Sequence, residues 1–287
     1  MSTTLTAPCK INLFLHIAGV REDGYHELNT LFLPVPSPGD TLEISPADSG
    51  MEIVCPEFPE LETKGNLLHK AWDSFGRNTG FRPGIRVRLT KNIPMGAGLG
   101  GGSTDAAALL KWLNTQAGGN SLGKDALIAL AARLGADIPF FLQDRPCLAR
   151  GIGEDLTPVD PGIQGLHLLL VCPPVHVNTQ WAYARWDALN AGRDVALRPR
   201  LTSWESNNKN SLPVQPQDVF NDFETPVFEK HPELRAIKDK LLDSGAIAAA
   251  MSGSGSTVFG LFRHEREAAE AARAFGKDAA LLYMNRY

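Results

Sequence analysis

The sequence predicts an α+β fold of two domains. Three observations carry that expectation. The 287 residues are more than one domain of about 150 residues needs. Segments that alternate apolar and polar side chains, as antiparallel strands do, are mixed with segments of helical spacing. Arg150–Gly165 is dense in Gly and Pro, as a boundary between folded segments is. We place the division after residue 160, giving an N-terminal domain 1–160 and a C-terminal domain 161–287.

Residues 9–16 form the first expected strand. Cys9, Ile11, Leu13 and Leu15 share one face, and Lys10, Asn12, Phe14 and His16 the other. Asp23-Gly24 marks a turn. Leu28–Val35 then reads as a second strand, and Thr41–Ile44 begins a third. Leu68, Trp72 and Phe75 recur at helical intervals within 66–78. Ile85–Leu89 alternates strictly, so it is a half-buried strand. A glycine loop at 96–102 leads into a helix over about 104–114, with Ala106, Leu109, Leu110 and Leu113 inward. A further helix spans 125–134, with Gly135 as its terminator. His167–Cys172 reads as a buried strand, and 190–217 as an irregular polar loop. A helix at 232–244, strands near Ala248 and Val258 and a helix at 265–275 complete the pattern. No repeat period is present.

The composition excludes several classes. With 28 Lys+Arg, 32 Asp+Glu and a net charge of −4, the chain has no basic track for a nucleic-acid backbone. Cys9, Cys55, Cys147 and Cys172 form no CxxC pair, which fits reduced thiols rather than a disulfide frame or zinc site. No basic start with an apolar run opens the chain, and no stretch has the continuous apolar character of a membrane span. A cytoplasmic location is the expectation, with no nucleic-acid or membrane partner. No HExxH or similar metal spacing joins the seven histidines.

Glycine stands out: 27 residues, against roughly 20 at average usage. Five of them lie within 96–102. Successive glycines let backbone N–H groups converge on one concavity, and the helix behind adds its unpaired N–H groups and positive dipole end. Together these suit a phosphate chain. Ser103 or Thr104 is available to cap the helix or to offer a hydroxyl to phosphate or Mg²⁺. The plainer alternative is a tight turn that packs a helix closely. Gly96-x-Gly98-x-x-Gly101 also matches a dinucleotide fingerprint, which would make the protein an oxidoreductase. That fingerprint follows a fully apolar parallel strand, whereas Ile85–Leu89 alternates. No Lys-Ser/Thr follows the last glycine, so no P-loop is present.

Pro94-Met-Gly-Ala-Gly-Leu-Gly-Gly-Gly-Ser-Thr-Asp-Ala-Ala resembles the central motif of the GHMP small-molecule kinases. Ala7-Pro-Cys-Lys-Ile-Asn-Leu-Phe-Leu15 is similar to their N-terminal motif, and Met251-Ser-Gly-Ser-Gly-Ser-Thr-Val-Phe259 to their C-terminal one. Two further stretches, Gly19–Leu28 and Gly135–Phe141, narrow the resemblance to members acting on a cytidine-diphosphate alcohol. The resemblance implies a two-domain GHMP kinase fold. Its N-terminal domain would be of the ribosomal-protein-S5-domain-2-like type, its C-terminal domain the GHMP-kinase type, with the active site in the cleft between them. It also implies ATP as phosphoryl donor, Mg²⁺, and a monomer or weak homodimer. A kinase of homoserine, mevalonate or a sugar is the nearest rival; it has no evident use for the Asp23-Gly-Tyr-His26 turn.

The resemblance also assigns roles. Asp137 falls on the catalytic aspartate; by itself it reads first as an N-cap before Pro139, and the resemblance reverses that order. Lys10 falls on the catalytic lysine; otherwise it is a solvated lysine on an edge strand. Asn12 matches a substrate-contacting position. Tyr25 and His26 would hold the cytosine, by stacking and by hydrogen bonds, with Tyr183 as the second aromatic and Trp181 in reserve. Phe32 and Thr179 are further substrate candidates, Phe32 reading otherwise as core. For ATP, the loop supplies Pro94, Gly96, Gly98, Leu99, Gly100, Gly101, Gly102 and Ser103. Lys91, Asn66 and Leu67 match positions near the nucleotide, against the plainer roles of strand-end lysine, helix N-cap and core leucine. Ser103 is the candidate Mg²⁺ ligand.

Overall fold

The computed structural model describes residues 2–191, 214–275 and 281–287. The expected loop 190–217 therefore lies mostly outside the described residues. The chain forms two compact units: Met1–Cys9, Pro38–Pro94 and Gly100–Asp144 make the first, and Lys10–Ser37, Met95–Leu99 and Arg145–Tyr287 the second. Each unit is assembled from three separate stretches of chain.

The first unit takes the start of β1 (Thr3–Val20) and the latter part of β2 (His26–Pro46). It continues through β3 (Met51–Val54), α1 (Leu67–Thr79) and β4 (Ile85–Thr90) to α2 (Gly101–Gln116), α3 (Lys124–Ala132) and α4 (Ile138–Phe141). β4 pairs antiparallel with Thr41–Pro46 of β2 and parallel with β3. Ile85, Val87 and Leu89 are buried and Arg86 and Arg88 exposed, as the alternation predicts. Asn66 caps α1 by accepting from Leu68 N–H at 2.9 Å, and Gly80 closes it in the left-handed region at φ 75°. α1 packs on α2; α1 buries Leu68, Ala71 and Phe75, and α2 buries Ala106, Leu109, Leu110 and Leu113.

The second unit holds the rest of β1 and β2, then β5 (Cys147–Arg150), β6 (Asp155–Pro158), β7 (His167–Cys172) and α5 (Thr179–Asn190). α6 (Glu224–Lys230), α7 (Pro232–Asp243), β8 (Ala248–Met251), β9 (Val258–Phe262), α8 (Glu265–Phe275) and β10 (Leu281–Arg286) follow. Four strands make an antiparallel sheet in the order β10-β7-β9-β8. Leu169 and Val171 of β7 join Val258 and Phe262 of β9, Leu241 of α7 and Phe275 of α8 in one apolar core.

The two strands expected at 28–35 and from 41 are one strand. Pro34, Pro36 and Pro38 do not break it. Proline adopts extended φ, and at alternate positions the missing N–H groups fall on one edge. Beside them the Asn285 side chain replaces ladder bonds: Ser37 N–H donates to its Oδ1 at 3.0 Å, and its Nδ2 donates to Ser37 O at 2.7 Å. All four cysteines are buried free thiols. No helix among the described residues is long and apolar enough to cross a membrane.

Candidate active site

After β4 the chain enters the glycine loop. Gly96, Gly98 and Gly100 adopt φ of 65°, 77° and 76°, a region that glycine enters without a Cβ penalty. Gly100 is the N-cap of α2 and no side chain caps the helix. This corrects the expectation that Ser103 or Thr104 caps it. The helix begins three residues earlier than predicted, which puts Ser103 at its third position and buries Thr104. Thr104 N–H is the first to bond back, to Gly100 O at 2.9 Å. The N–H groups of Gly101, Gly102 and Ser103 precede the first intrahelical bond and form the dipole's positive end. Leu67 lies nearby: a Cβ on Gly102 would be 3.7 Å from its Cδ1. The Asn66 side chain is occupied by the α1 cap and by Leu61 O.

Residues 95–99 of the loop are held within the second unit. Lys10 N–H donates to Leu99 O at 3.0 Å, and Thr257 N–H to Ala97 O at 3.2 Å. Ser252 Oγ donates to Gly98 O at 2.9 Å and accepts from Asn12 N–H at 3.2 Å. A Cβ on Gly98 would lie 2.1 Å from Ser252 O. Gly253 takes part in the same close approach: a Cβ there would lie 3.2 Å from Gly98 O. Asn221, unremarked in the sequence, fixes that motif by donating from Nδ2 to Met251 O and Gly253 O, each at 2.7 Å. Its signal was a polar Asn-Asp pair set between Phe220 and Phe223.

Lys10 is buried at 4% exposure, so it is not a solvated edge lysine. Its ammonium donates to Asn12 Oδ1 at 2.7 Å and stands 5.0 Å over the Phe32 ring. Asn12 donates in turn to Thr30 Oγ1 at 2.8 Å. Asp137 immediately precedes α4, where it has helical φ and ψ and makes no capping bond. Asp137 thus stands at the N-cap position without a side-chain capping bond, and Pro139 occupies the first turn as expected.

The Asp23–His26 turn is braced from below. Arg21 bonds Asp23 and Glu27, and Asp23 accepts from Tyr25 N–H at 3.1 Å. Arg21, and then that N–H, hold the Asp23 carboxyl below its usual range. Tyr25 is 60% exposed. The His26 ring stacks on Tyr183 with centroids 4.3 Å apart, and its Nε2 meets Asp187 Oδ1 at 2.7 Å. Tyr183 therefore backs His26, a contact the expected Tyr25–Tyr183 sandwich did not include. Asp187 escaped notice because nothing in the sequence ties it to a turn 161 positions away. Trp181 faces Lys230, whose ammonium is 4.1 Å from the ring centroid. Thr179 Oγ1 shares a 2.7 Å hydrogen bond with Ser254 Oγ.

Lys91 lies in the first unit with its ammonium buried between two carboxylates. It donates to Asp105 Oδ2 at 2.8 Å and to Asp40 Oδ2. Asp40 is wholly buried, and its Oδ1 accepts from Asn92 N–H at 2.6 Å and Ile93 N–H at 2.8 Å. Burial lowers the Lys91 pKa, but Asp105 and Asp40 outweigh it and the net shift is upward. Burial lifts the Asp105 carboxyl to about 7 against the pull of Lys91.

The dinucleotide alternative finds no support in the topology. The hydrogen-bonded neighbours of β4 are β2 and β3, neither of which follows the loop. Family comparison agrees. The GHMP kinases N terminal domain matches residues 66–145 and the GHMP kinases C terminal domain residues 206–280. The chain is 43% identical over 320 residues to the 4-diphosphocytidyl-2-C-methyl-D-erythritol kinase of Oleidesulfovibrio alaskensis, covering 99% of this chain and 98% of that one. It is 47% identical over 274 residues to the kinase of the same name from Nitratidesulfovibrio vulgaris, covering 94% and 93%. A crystal structure of a 4-(cytidine 5'-diphospho)-2C-methyl-D-erythritol kinase superposes with a TM-score of 0.78 at 35% identity, covering 98% of each chain.

Proposed function

Because the chain belongs to the GHMP kinases, and within them to the 4-diphosphocytidyl-2-C-methyl-D-erythritol kinases, we propose that it phosphorylates the 2-hydroxyl of 4-diphosphocytidyl-2-C-methyl-D-erythritol. The chain is an ATP-dependent small-molecule kinase. The γ-phosphoryl group passes to the acceptor oxygen and ADP leaves. The product is the 2-phosphate, in the non-mevalonate route to isopentenyl diphosphate. The observation that carries this reading is the start of α2. Its first turn is uncapped by any side chain and is fed by Gly96, Gly98 and Gly100 in the left-handed region, which is a phosphate site.

In this reading Asp137 accepts the proton of the acceptor hydroxyl, which becomes nucleophilic as the proton leaves. Lys10 offsets charge that builds during transfer. The transition state of phosphoryl transfer is loose, so positioning and charge stabilisation supply most of the catalysis. Gly98–Ser103, with Pro94 and Gly96 before them, wrap the phosphates, and Leu67 lies beside them. Among the described residues no group of three or more His, Cys, Asp or Glu is placed to hold a metal. The donor set therefore fits Mg²⁺ carried by the phosphates, with Ser103 as its candidate protein ligand. When bound, Mg²⁺ would neutralise charge on the phosphoryl oxygens. Tyr25 stacks on the cytosine and His26 bonds its edge, with Tyr183 behind the imidazole. Asn12, Phe32 and Thr179 complete the acceptor side. Buried free thiols suit a reducing cytoplasm.

The test is ADP release with ATP, Mg²⁺ and the cytidine substrate. Release should require that substrate. Asp137→Asn should lower kcat by about 10²–10⁴-fold while ADP affinity and Tm stay close to wild type. Substrate-independent release, or a variant as fast as wild type, defeats the assignment.

A further inference from the structure

We propose that Lys91 anchors the helical half of the phosphate loop instead of binding nucleotide, and that Asp40 and Asp105 are positioning residues acting through it. The inference rests on the reading that ATP phosphates sit at the start of α2. Within the first unit, one buried ammonium gathers the three pieces of chain that define that site. Asp40, on β2, accepts from Lys91 and from Asn92 and Ile93 N–H, which fixes the chain as it leaves β4. Asp105, in the second turn of α2, accepts from the same ammonium. The ammonium also lies under the first turn: a Cβ on Gly101 would be 3.2 Å from Nζ and 3.2 Å from Ile93 Cγ2. Gly101 is therefore matched to the lysine beneath it.

An ammonium has three donors. Two are committed to carboxylates here, and the side chain of Lys91 is only 5% exposed. A lysine that serves phosphate as a point charge must bring that charge to the phosphate. This one is enclosed by the anions of its own fold. Both aspartates are also more than nine-tenths buried, so the three charges depend on each other. Loss of one member should disturb the geometry of Gly100–Ser103 without removing a group that touches ATP.

The experiment is ADP binding by calorimetry, with Tm recorded alongside. It does not depend on which alcohol the enzyme phosphorylates. Asp105→Ala should weaken ADP by about tenfold and raise the KM for ATP to match, with the KM for the cytidine substrate unchanged. Lys91→Met should do the same or more, and the double variant should be no worse than Lys91→Met alone, because coupled residues are not additive. If Lys91→Met is too unstable to purify, the triple variant Asp40→Asn/Lys91→Met/Asp105→Leu removes all three charges together. It should regain solubility and bind ADP within about threefold of wild type. A soluble triple variant that has lost ADP binding makes Lys91 a direct ligand and overturns the inference. So do an Asp105→Ala variant with unchanged ADP affinity and a triple variant that fails to fold. Intact ADP binding without turnover would sink only the acceptor assignment.

Discussion

The two halves of the glycine loop are adjacent in sequence and rest on different physics. Residues 95–99 are held mostly by backbone against backbone, with one side-chain bond from Ser252 Oγ. Gly98 sits where even a methyl group would strike Ser252 O, and Lys10, Ser252 and Thr257 clasp the neighbouring carbonyls. Residues 100–103 are held by buried charge, through Lys91, Asp40 and Asp105. A glycine run is therefore not one device. Gly98 is demanded by close approach and by its φ of 77°. Gly101 is crowded only by the end of a lysine and by Ile93. Gly102 meets nothing nearer than Leu67 at 3.7 Å.

Alanine substitutions sharpen that contrast. Gly98→Ala combines a left-handed backbone with a clash against a carbonyl that cannot swing away. It should cost about 3 kcal/mol or more, read as a large fall in Tm or loss of soluble protein. A mild effect would mean that the first half of the loop is as yielding as the second. Gly101→Ala should cost about 1–2 kcal/mol, and the loss should shrink when Lys91 is shortened to Met together with loss of the Asp105 charge. Gly102→Ala should leave Tm within about 1 kcal/mol of wild type, since alanine is the better helix former. Its effect should fall on ADP affinity, because the methyl enters the turn that faces phosphate. An unchanged ADP affinity would move the phosphates away from Gly102.

How much of this was legible depends on the range of the signal. α8 begins and ends at the predicted residues, Glu265 and Phe275, because its apolar face is written in local spacing. The strands at Ile85 and His167 were legible for the same reason. α5 was not, since Trp181, Tyr183 and Trp186 blur its inner face with large side chains on several sides. The start of α2 was misjudged because glycine has poor helix propensity, yet Gly101 and Gly102 are helical where the fold needs bare backbone. The family motifs brought Lys10 and the glycine loop to notice, and the Gly135–Phe141 stretch brought Asp137. Asp40 was invisible, since its partners lie 51 to 53 positions away. The role of Lys91 was invisible until Asp40 was found beside it.

The interleaving of the two units bears on how the chain is made. All residues of the first unit have been synthesised once Asp144 leaves the ribosome. Residues 10–37 belong to the second unit and cannot complete it then. Leu15 N–H donates to Phe220 O at 2.9 Å, and Asp222 N–H to Leu15 O at 3.0 Å, so the middle of β1 waits for about two hundred further residues. At about 5–20 residues per second that delay is on the order of ten to forty seconds. Throughout it, the nascent chain carries a strand bearing Ile11, Leu13, Leu15 and Ile17 without the Phe220–Asp222 segment that will flank it.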